Sequence, residues 1–524
     1  KIQTDNIHSI NWRNPRNHLI SSINYDQSLL LKGLLMNNYK QLTGTFLHEN
    51  INRQNQEKFD KWKQLKEQLT FQYSLPKHKR LPEFDSLEYL SNKWESELAR
   101  ASIKFDDSQE KLSWKDVQSN LKQGEATIEF AHFNYYLPHK DRSTDSIFYV
   151  AYLIKKELQN PIMIPLFEDK ELPKLNSILR LYNTQARSNR RNLNQLIWQP
   201  LEPYLKEVST IYFSPTGKLN RINFGAIPIN ENETISERFE LHQLGGTRQL
   251  IPYKTSKNVT QNLANACLFG GIEYQKLPIR SPDSHFDTPN HNEFLASRSL
   301  GDAYRSLRGN DWKYLEWTKK EIDEIEIMLN SSGTQVKVFE GQFASEESFK
   351  NIGIQNKSPK IIHLATHGYF FPNPSELKNS EAPSSQSDGF KYSEHPLIRS
   401  GLILAGANRV WKGANPLPSE EDGILTAYEI AQMNLRNTDL VVLSACNTAL
   451  GDIQGNEGVY GLQRAFKMAG VKYILMSLWS VPDKESHEFM THFYREFLGG
   501  KTIPEAYQST QNFMRTKYAE PFDP

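Results

Sequence analysis

Apolar residues in the first hundred positions recur at helical spacing within a polar background rich in Asn, Gln and Lys. Leu30, Leu31, Leu34 and Leu35 form one such group, and Leu87, Leu90, Trp94 and Leu98 another. The spacing predicts long helices. No self-similar unit of about 34 residues repeats among them, so they fit the cap of a helical repeat array better than an array itself. From Trp114 the pattern changes. Ala126-Thr127-Ile128-Glu129-Phe130 and Phe148 to Ile154 are β-rich runs, and Ile211-Tyr212-Phe213 runs into the turn Ser214-Pro215-Thr216-Gly217.

A second, clearer unit holds, inside it or just after its start, a turn-forming stretch, Lys276 to Asn292, with Pro278, Pro282 and Pro289. Cys267-Leu268-Phe269 before Gly270-Gly271 predicts a short buried strand. Thr318 with Glu321 predicts a capping box for a helix striped by Ile322, Ile325 and Leu329. Ile361–Thr366, Leu402–Ala405, Leu440–Ser444 and Tyr473–Leu478 are short, nearly continuous apolar runs, the pattern of parallel strands covered on both faces. Helices are expected between them, one boxed by Thr426 and Glu429, one striped by Val459, Leu462, Phe466 and Ala469, and one striped from Phe489 to Leu498. The alternation of strand and helix predicts a parallel α/β sheet. The expected units are residues 1–108, helical; 109–262, an accessory α/β unit; and 263–524, the main α/β unit.

Composition narrows the classes. The chain has 524 residues, 38% apolar and 23% charged, which suits a soluble globular protein of several domains. No stretch approaches the ~18 consecutive apolar residues of a membrane span, so no membrane association is expected. Sixty-two Lys and Arg against 61 Asp and Glu give a net charge of +1, with no global field toward nucleic acid. The basic clusters Lys77–Arg80 and Arg187–Arg191 lack interleaved aromatics and read as solvated faces rather than a nucleic-acid motif. Gly270-Gly271 has no Lys-Ser/Thr partner for phosphate binding. Two cysteines, Cys267 and Cys446, leave neither a disulfide framework nor a cysteine-built zinc site and fit a reducing cytoplasm. The sequence opens at Lys1 with no charged-then-apolar leader, and reads as a fragment or processed chain.

Open parallel sheets bind ligands beyond the carboxyl ends of their strands. Two apolar runs end in chemistry there: Ile361–Thr366 delivers His367-Gly368, and Leu440–Ala445 delivers Cys446-Asn447-Thr448. A thiol becomes a nucleophile when a neighbouring imidazole accepts its proton, and the backbone N–H groups of Gly368 and Cys446 would suit an oxyanion hole. The plainer reading is that Cys446 is a small buried hydrophobe and that His363 and His367 are core or turn histidines. Spacing leaves both open.

The motifs themselves go further. His363-Leu364-Ala365-Thr366-His367-Gly368, Arg399 to Asn408, Asp422 to Ile430, Leu440 to Gly451, Glu457 to Phe466 and Ser477 to Asp483 occur in one order that resembles the CHAT family. These are caspase-like cysteine peptidases that accompany TPR repeats and are related to caspases and separase. Gly124 to Phe130 and Ser214 to Leu219 look like the family's leader region. The resemblance implies an α/β, caspase-like, mostly parallel sheet flanked by helices, with a helical TPR-like or capping segment and a degenerate accessory unit upstream. It implies a Cys446–His367 dyad, a protein substrate, and no metal or organic cofactor. It also implies activation by a partner, a regulatory protein or ribonucleoprotein met through the helical N-terminal part, in prokaryotic defence or programmed cell death.

Asp483 looks like the place where separase-like enzymes set an acidic pocket for a basic substrate side chain, and reads equally as a helix N-cap. Asp422 before Gly423 is read as turn chemistry. Asn447 departs from the family, which more often carries Glu there. The caspase signature Q-A-C-x-G is absent, so Asp-directed specificity is not implied. The surplus loop Pro372 to Pro396 reads as a mobile gate or a tolerated insertion. The rival functional readings are a silent caspase-like adaptor and an acyl transferase or esterase acting on a small molecule.

Overall fold

Among the described residues, two five-stranded sheets, one three-stranded sheet and one two-stranded pair organise the chain. The computed structural model describes residues 2–32, 46, 53–75, 79–105, 112–172, 192–230, 233–251, 263–276, 311–354, 356–374, 393–412, 421–445, 451–453, 459–478 and 482–518. The strands are β1 (Glu125–Leu137), β2 (Arg142–Lys155), β3 (Ile162–Glu168), β4 (Thr210–Ser214), β5 (Glu240–Gln243), β6 (Asn265–Ile272), β7 (Gln335–Gly341) and β8 (Ile361–Ala365). They continue as β9 (His367–Phe370), β10 (Ser400–Ile403), β11 (Ile424–Thr426), β12 (Leu440–Ser444), β13 (Gly451–Ile453), β14 (Val459–Gly461) and β15 (Tyr473–Met476).

The upstream sheet has the order β3-β2-β1-β4-β5. Its long β1–β2 hairpin is antiparallel and carries the two β-rich runs, with Ile128 opposite Leu153, while β4 pairs parallel to β1. The downstream sheet, β15-β12-β8-β6-β7, is parallel throughout. Every residue of β8 and β12 is buried. Ile361, Ala365, Leu440 and Val442 pack against the helices Glu316–Ser331 and Asp483–Leu498, and Ile362, Leu364, Val441 and Leu443 pack into the opposite layer. Burial on both faces removes any need for polar alternation, which is why these runs are continuously apolar. The α/β architecture expected, a mostly parallel sheet between helices, is present.

Three local expectations change. Leu402–Ala405 is not a parallel strand of the main sheet: β10 pairs antiparallel with both β9 and β11 in a separate sheet. A short buried run looks alike in either setting, so periodicity could not separate them. Val459 lies in β14 and the helix begins at Leu462. Thr318 and Glu321 do not form a capping box. The helix starts at Glu316, Thr318 Oγ1 donates to the Leu315 carbonyl, and Glu321 turns into the core. The Thr426–Glu429 box is formed as expected.

The N-terminal region is helical, with helices Ile2–Arg13, His18–Leu31, Arg53–Ser74 and Phe84–Phe105. The second of these is tied to the upstream sheet by a buried polar network. Lys32 Nζ pairs with Glu129 and donates to the carbonyls of Phe130 at 3.0 Å and Ser214 at 2.9 Å. The other carboxylate oxygen of Glu129 accepts the Thr247 N–H and hydroxyl, both at 2.7 Å. Tyr25 OH bonds Thr247 Oγ1 at 2.8 Å, and Glu129 and Tyr25 are both fully buried.

Removing one partner of a buried ion pair leaves the other charge uncompensated, at a cost of about 3–5 kcal/mol. Lys32→Met is therefore expected to destabilise the upstream sheet by about that amount, read as an earlier denaturant midpoint. The double variant Lys32→Met/Glu129→Leu is expected to recover most of the loss. Equal midpoints for wild type and Lys32→Met would refute the argument.

Candidate active site

The main sheet brings two chain ends side by side. β8 and β12 are adjacent and parallel, with Ala365 in register with Ser444, and the Thr366 N–H donates to the Ser444 carbonyl at 3.2 Å. His367 follows one residue later, at the start of β9. Ala445 follows Ser444, and its carbonyl accepts the Ser477 hydroxyl at 2.5 Å. Cys446, Asn447 and Thr448 lie outside the described residues. So does most of the Pro372–Pro396 loop.

His367 is held on three sides. Its Nε2 lies 2.7 Å from the Lys313 carbonyl oxygen. A carbonyl only accepts, so Nε2 carries the proton and, in the neutral ring, Nδ1 is the basic nitrogen. The rings of Tyr274 and Trp312 flank the imidazole at centroid distances of 5.1 and 5.0 Å. Burial pushes the His367 pKa below its ordinary value, opposed by the Lys313 carbonyl and by the charge of Asp483.

Gly368 is placed by strand pairing. The Phe371 N–H donates to the Arg399 carbonyl at 2.7 Å, in line with the antiparallel register of β9 and β10. Hydrogen-bonded pairs alternate along such a ladder, so His367 and Tyr369 face β10 and the intervening Gly368 does not. Since β9 is the edge strand of the order β11-β10-β9, the Gly368 N–H points off the sheet.

Beneath these strand ends lies a buried group that sequence reasoning missed. Glu321 Oε1 lies 2.7 Å from His363 Nε2, and its Oε2 accepts the Ser444 hydroxyl at 3.2 Å. Tyr494 OH is 3.3 Å from His363 Nδ1. All four residues are buried. One helical carboxylate thus braces both strands that lead to the site. The available signal was an acidic residue on the apolar face of a helix beside Ile322 and Ile325, which the capping-box reading absorbed.

Asp483 is half-buried and heads the helix Asp483–Leu498, whose N-cap is Pro482. It does not cap its own helix. Its Oδ2 accepts the Trp317 N–H at 3.0 Å, in the first turn of the helix Glu316–Ser331. Burial raises its pKa, against the Trp317 hydrogen bond and the charges of His367 and His487. Asp422 Oδ1 accepts the Ile424 N–H at 2.8 Å, a turn as expected. Burial pushes the Cys267 thiol up to about 11, which keeps it protonated at neutral pH. Among the described residues one cluster has metal-ligand spacing, Glu346, Glu421 and Glu429. The Lys350 ammonium sits among them, at 2.6, 3.1 and 2.7 Å, and supplies the positive charge.

Glu321→Ala would leave His363 and Ser444 buried without their acceptor, costing about 2–4 kcal/mol. Glu321→Gln keeps the shape and an acceptor, so it is expected to lose less. Denaturant unfolding of the pair measures the difference, and equal losses would refute the role of the acceptor.

Comparison with known proteins supports the family resemblance. The CHAT domain matches residues 187–523. The mouse (Mus musculus) tetratricopeptide repeat protein 28 is 24% identical over 346 residues, which are 62% of this chain and 12% of that protein. The human (Homo sapiens) protein of the same name is 29% identical over 146 residues, 27% of this chain and 6% of that protein. The chain therefore spans only a small part of the length of these relatives. Among solved structures, the Saccharomyces cerevisiae separase–securin complex at 2.6 Å resolution overlaps 83% of this chain and 32% of that one, with 9% identity and a TM-score of 0.40. A second structure of that complex gives a TM-score of 0.41. With its matched stretch covering well over half of the sequence, the chain belongs to the CHAT domain family.

Proposed function

We propose that this chain is a cysteine endopeptidase that cleaves a protein substrate through Cys446 and His367. The observation that carries the reading is the register of β8 with β12, which aligns Ala365 with Ser444 two residues before each dyad member. His367 Nδ1 takes the thiol proton as Cys446 Sγ attacks the scissile carbonyl carbon. The tetrahedral oxyanion accepts hydrogen bonds from the Gly368 and Cys446 N–H groups, and the outward Gly368 N–H is suited to that task. The C–N bond then breaks, His367 protonates the leaving amine, and water hydrolyses the thioester. Residues 263–524 form the peptidase unit, 109–262 the accessory unit, and 1–108 a helical segment through which a partner switches the enzyme on. The packing of Leu65, Leu69 and Tyr73 into the same core as Ile362 and Leu364 supports that route.

For the residue before the cut, Asp483 favours Arg or Lys. Its Oδ2 is engaged by Trp317 while its charge remains to attract a cation.

The decisive experiment maps new protein N-termini after incubating the activated chain with a denatured proteome. Wild type is expected to cut after Arg or Lys, and Cys446→Ala or His367→Ala to abolish cutting. Cleavage retained by Cys446→Ala would overturn the peptidase reading in favour of a contaminant or an adaptor. Asp483→Asn keeps an acceptor for Trp317 and removes the charge, so kcat/KM for basic sites should fall roughly 10- to 100-fold. Cleavage after apolar residues would remove Asp483 from the pocket. Because burial holds His367 below 6.5, the acid limb of kcat/KM is expected below that pH. The base is lost only as pH falls through the lowered pKa, and a limb above 6.5 would contradict the assignment.

A further inference from the structure

Asn408 is fully buried in the short helix Ala407–Trp411, entered through Gly406 at φ +79°. Its side-chain amide grips the main chain of one residue in both directions. Oδ1 accepts the Trp312 N–H at 2.8 Å, and Nδ2 donates to the Trp312 carbonyl at 2.9 Å. Its own N–H donates to the Tyr274 carbonyl at 3.1 Å. Trp312 and Tyr274 are the two residues whose rings flank His367, and the next carbonyl after Trp312, that of Lys313, is the one that meets His367 Nε2. Trp411, on the same helix, packs its ring on Trp312 at 5.0 Å.

We propose that Asn408 is a positioning residue for the peptidase reaction, holding the 311–313 strap and Tyr274 so that His367 keeps its Nε2 proton on the Lys313 carbonyl and offers Nδ1 to the thiol. This deepens the peptidase reading and rests on it for its catalytic meaning. The residue type follows from the geometry. One main-chain N–H and one C=O need a donor and an acceptor on a single planar group, which an amide supplies. A carboxylate of the same shape would set oxygen against oxygen at the Trp312 carbonyl, and alanine would leave both main-chain groups without this partner. Asp311 reinforces the strap from outside, its Oδ2 accepting from Gln275 Nε2 at 3.1 Å and from Lys412 Nζ at 2.5 Å. Those contacts are exposed and hold the strap less firmly than a buried amide.

The test follows the imidazole directly. In the full chain labelled with 15N-histidine, the His367 signal is assigned by its loss in His367→Gln and titrated by NMR. Wild type is expected to titrate below 6.5. In Asn408→Ala and Asn408→Asp the ring gains access to water, and its pKa is expected to rise toward the ordinary value. The charged neighbour Asp483 is unchanged in the alanine variant. A wild-type value at or above 6.5, or folded variants that titrate with wild type, would overturn the proposal. If both variants fail to fold, hydrogen exchange in wild type decides. The Trp312 N–H should exchange at least about tenfold more slowly than an unprotected peptide, and exchange at the unprotected rate would overturn the clamp.

A separate readout tests the underlying reading. The pH dependence of Cys446 alkylation by iodoacetamide, followed by mass spectrometry, should show a thiol activated well below ~8.5 in wild type and a rate near neutrality roughly tenfold lower in the Asn408 variants, because a ring released from the Lys313 carbonyl no longer presents Nδ1 to the thiol and that loss of alignment outweighs its gain in basicity. An ordinary thiol profile in wild type would sink the Cys–His reading, while the histidine titration would still report whether Asn408 holds the ring.

Discussion

The pairing of β8 with β12 is the constraint on which the rest of this site depends. The two strands are hydrogen-bonded neighbours in parallel register, so whatever leaves their carboxyl ends leaves from adjacent points. Side-chain alternation adds to this, since Val442 and His363 are register partners and share the face covered by the helix Glu316–Ser331. A slip of one residue would exchange the two faces of the strand, placing His363 among the apolar residues of the other layer and an apolar residue against Glu321. Glu321 opposes such a slip because its two oxygens bond a residue of each strand. A buried carboxylate is costly unless its partners stand in the right places, so the group lends specificity to the register as well as stability.

Much of this was legible in the sequence, and the reason is physical. Strands buried on both faces must be apolar throughout, so β8 and β12 are plain in the sequence, and ligand chemistry at strand ends singles out His367 and Gly368. The direction of β10 was not legible, because four buried residues carry no mark of parallel or antiparallel pairing. Nor were the partners of His367. Tyr274, Lys313 and Asn408 come from three distant segments, and Lys313 acts through a main-chain carbonyl that any residue type provides. Asn408 ends the motif Arg399 to Asn408, but nothing along the chain says that its amide grips Trp312. Asp483 suits either a cap or a pocket in the sequence, and in the structure it accepts a first-turn N–H of a neighbouring helix instead of its own.

The N-terminal helices reach the main unit through an aromatic joint. Tyr73 of the helix Arg53–Ser74 packs against His395 and Tyr428 at ring centroid distances of 4.9 and 5.9 Å, and Gln432 Nε2 donates to Thr70 at 3.3 Å. Arg80 stacks on Phe84 at 4.8 Å and so belongs to the joint rather than to a solvated basic face. Burial pushes His395 down to about 3, aided by the charges of Lys66 and Arg399, so the ring stays neutral across the physiological range. The joint is therefore a contact whose histidine carries no charge at neutral pH. His395 and Arg399 precede β10, and β10 pairs with the strand that begins at His367. On the proposed reading, in which a partner acts through the helical segment, this gives that segment a short covalent and hydrogen-bonded route to the imidazole.

Electrostatics ties recognition to proton transfer on the proposed reading. Burial between Tyr274 and Trp312 weakens His367 as a base, and a weaker base leaves a neighbouring thiol protonated more of the time. Asp483 partly offsets this, because its negative charge favours the protonated ring. A basic side chain paired with Asp483 would neutralise that charge when substrate binds, lowering the basicity of His367 at the moment it holds the thiol proton. A weaker conjugate base is a stronger acid, so the imidazolium would deliver its proton to the leaving amine more readily. The same carboxylate would thus help the ring accept a proton in the free enzyme and help it give that proton up in the complex.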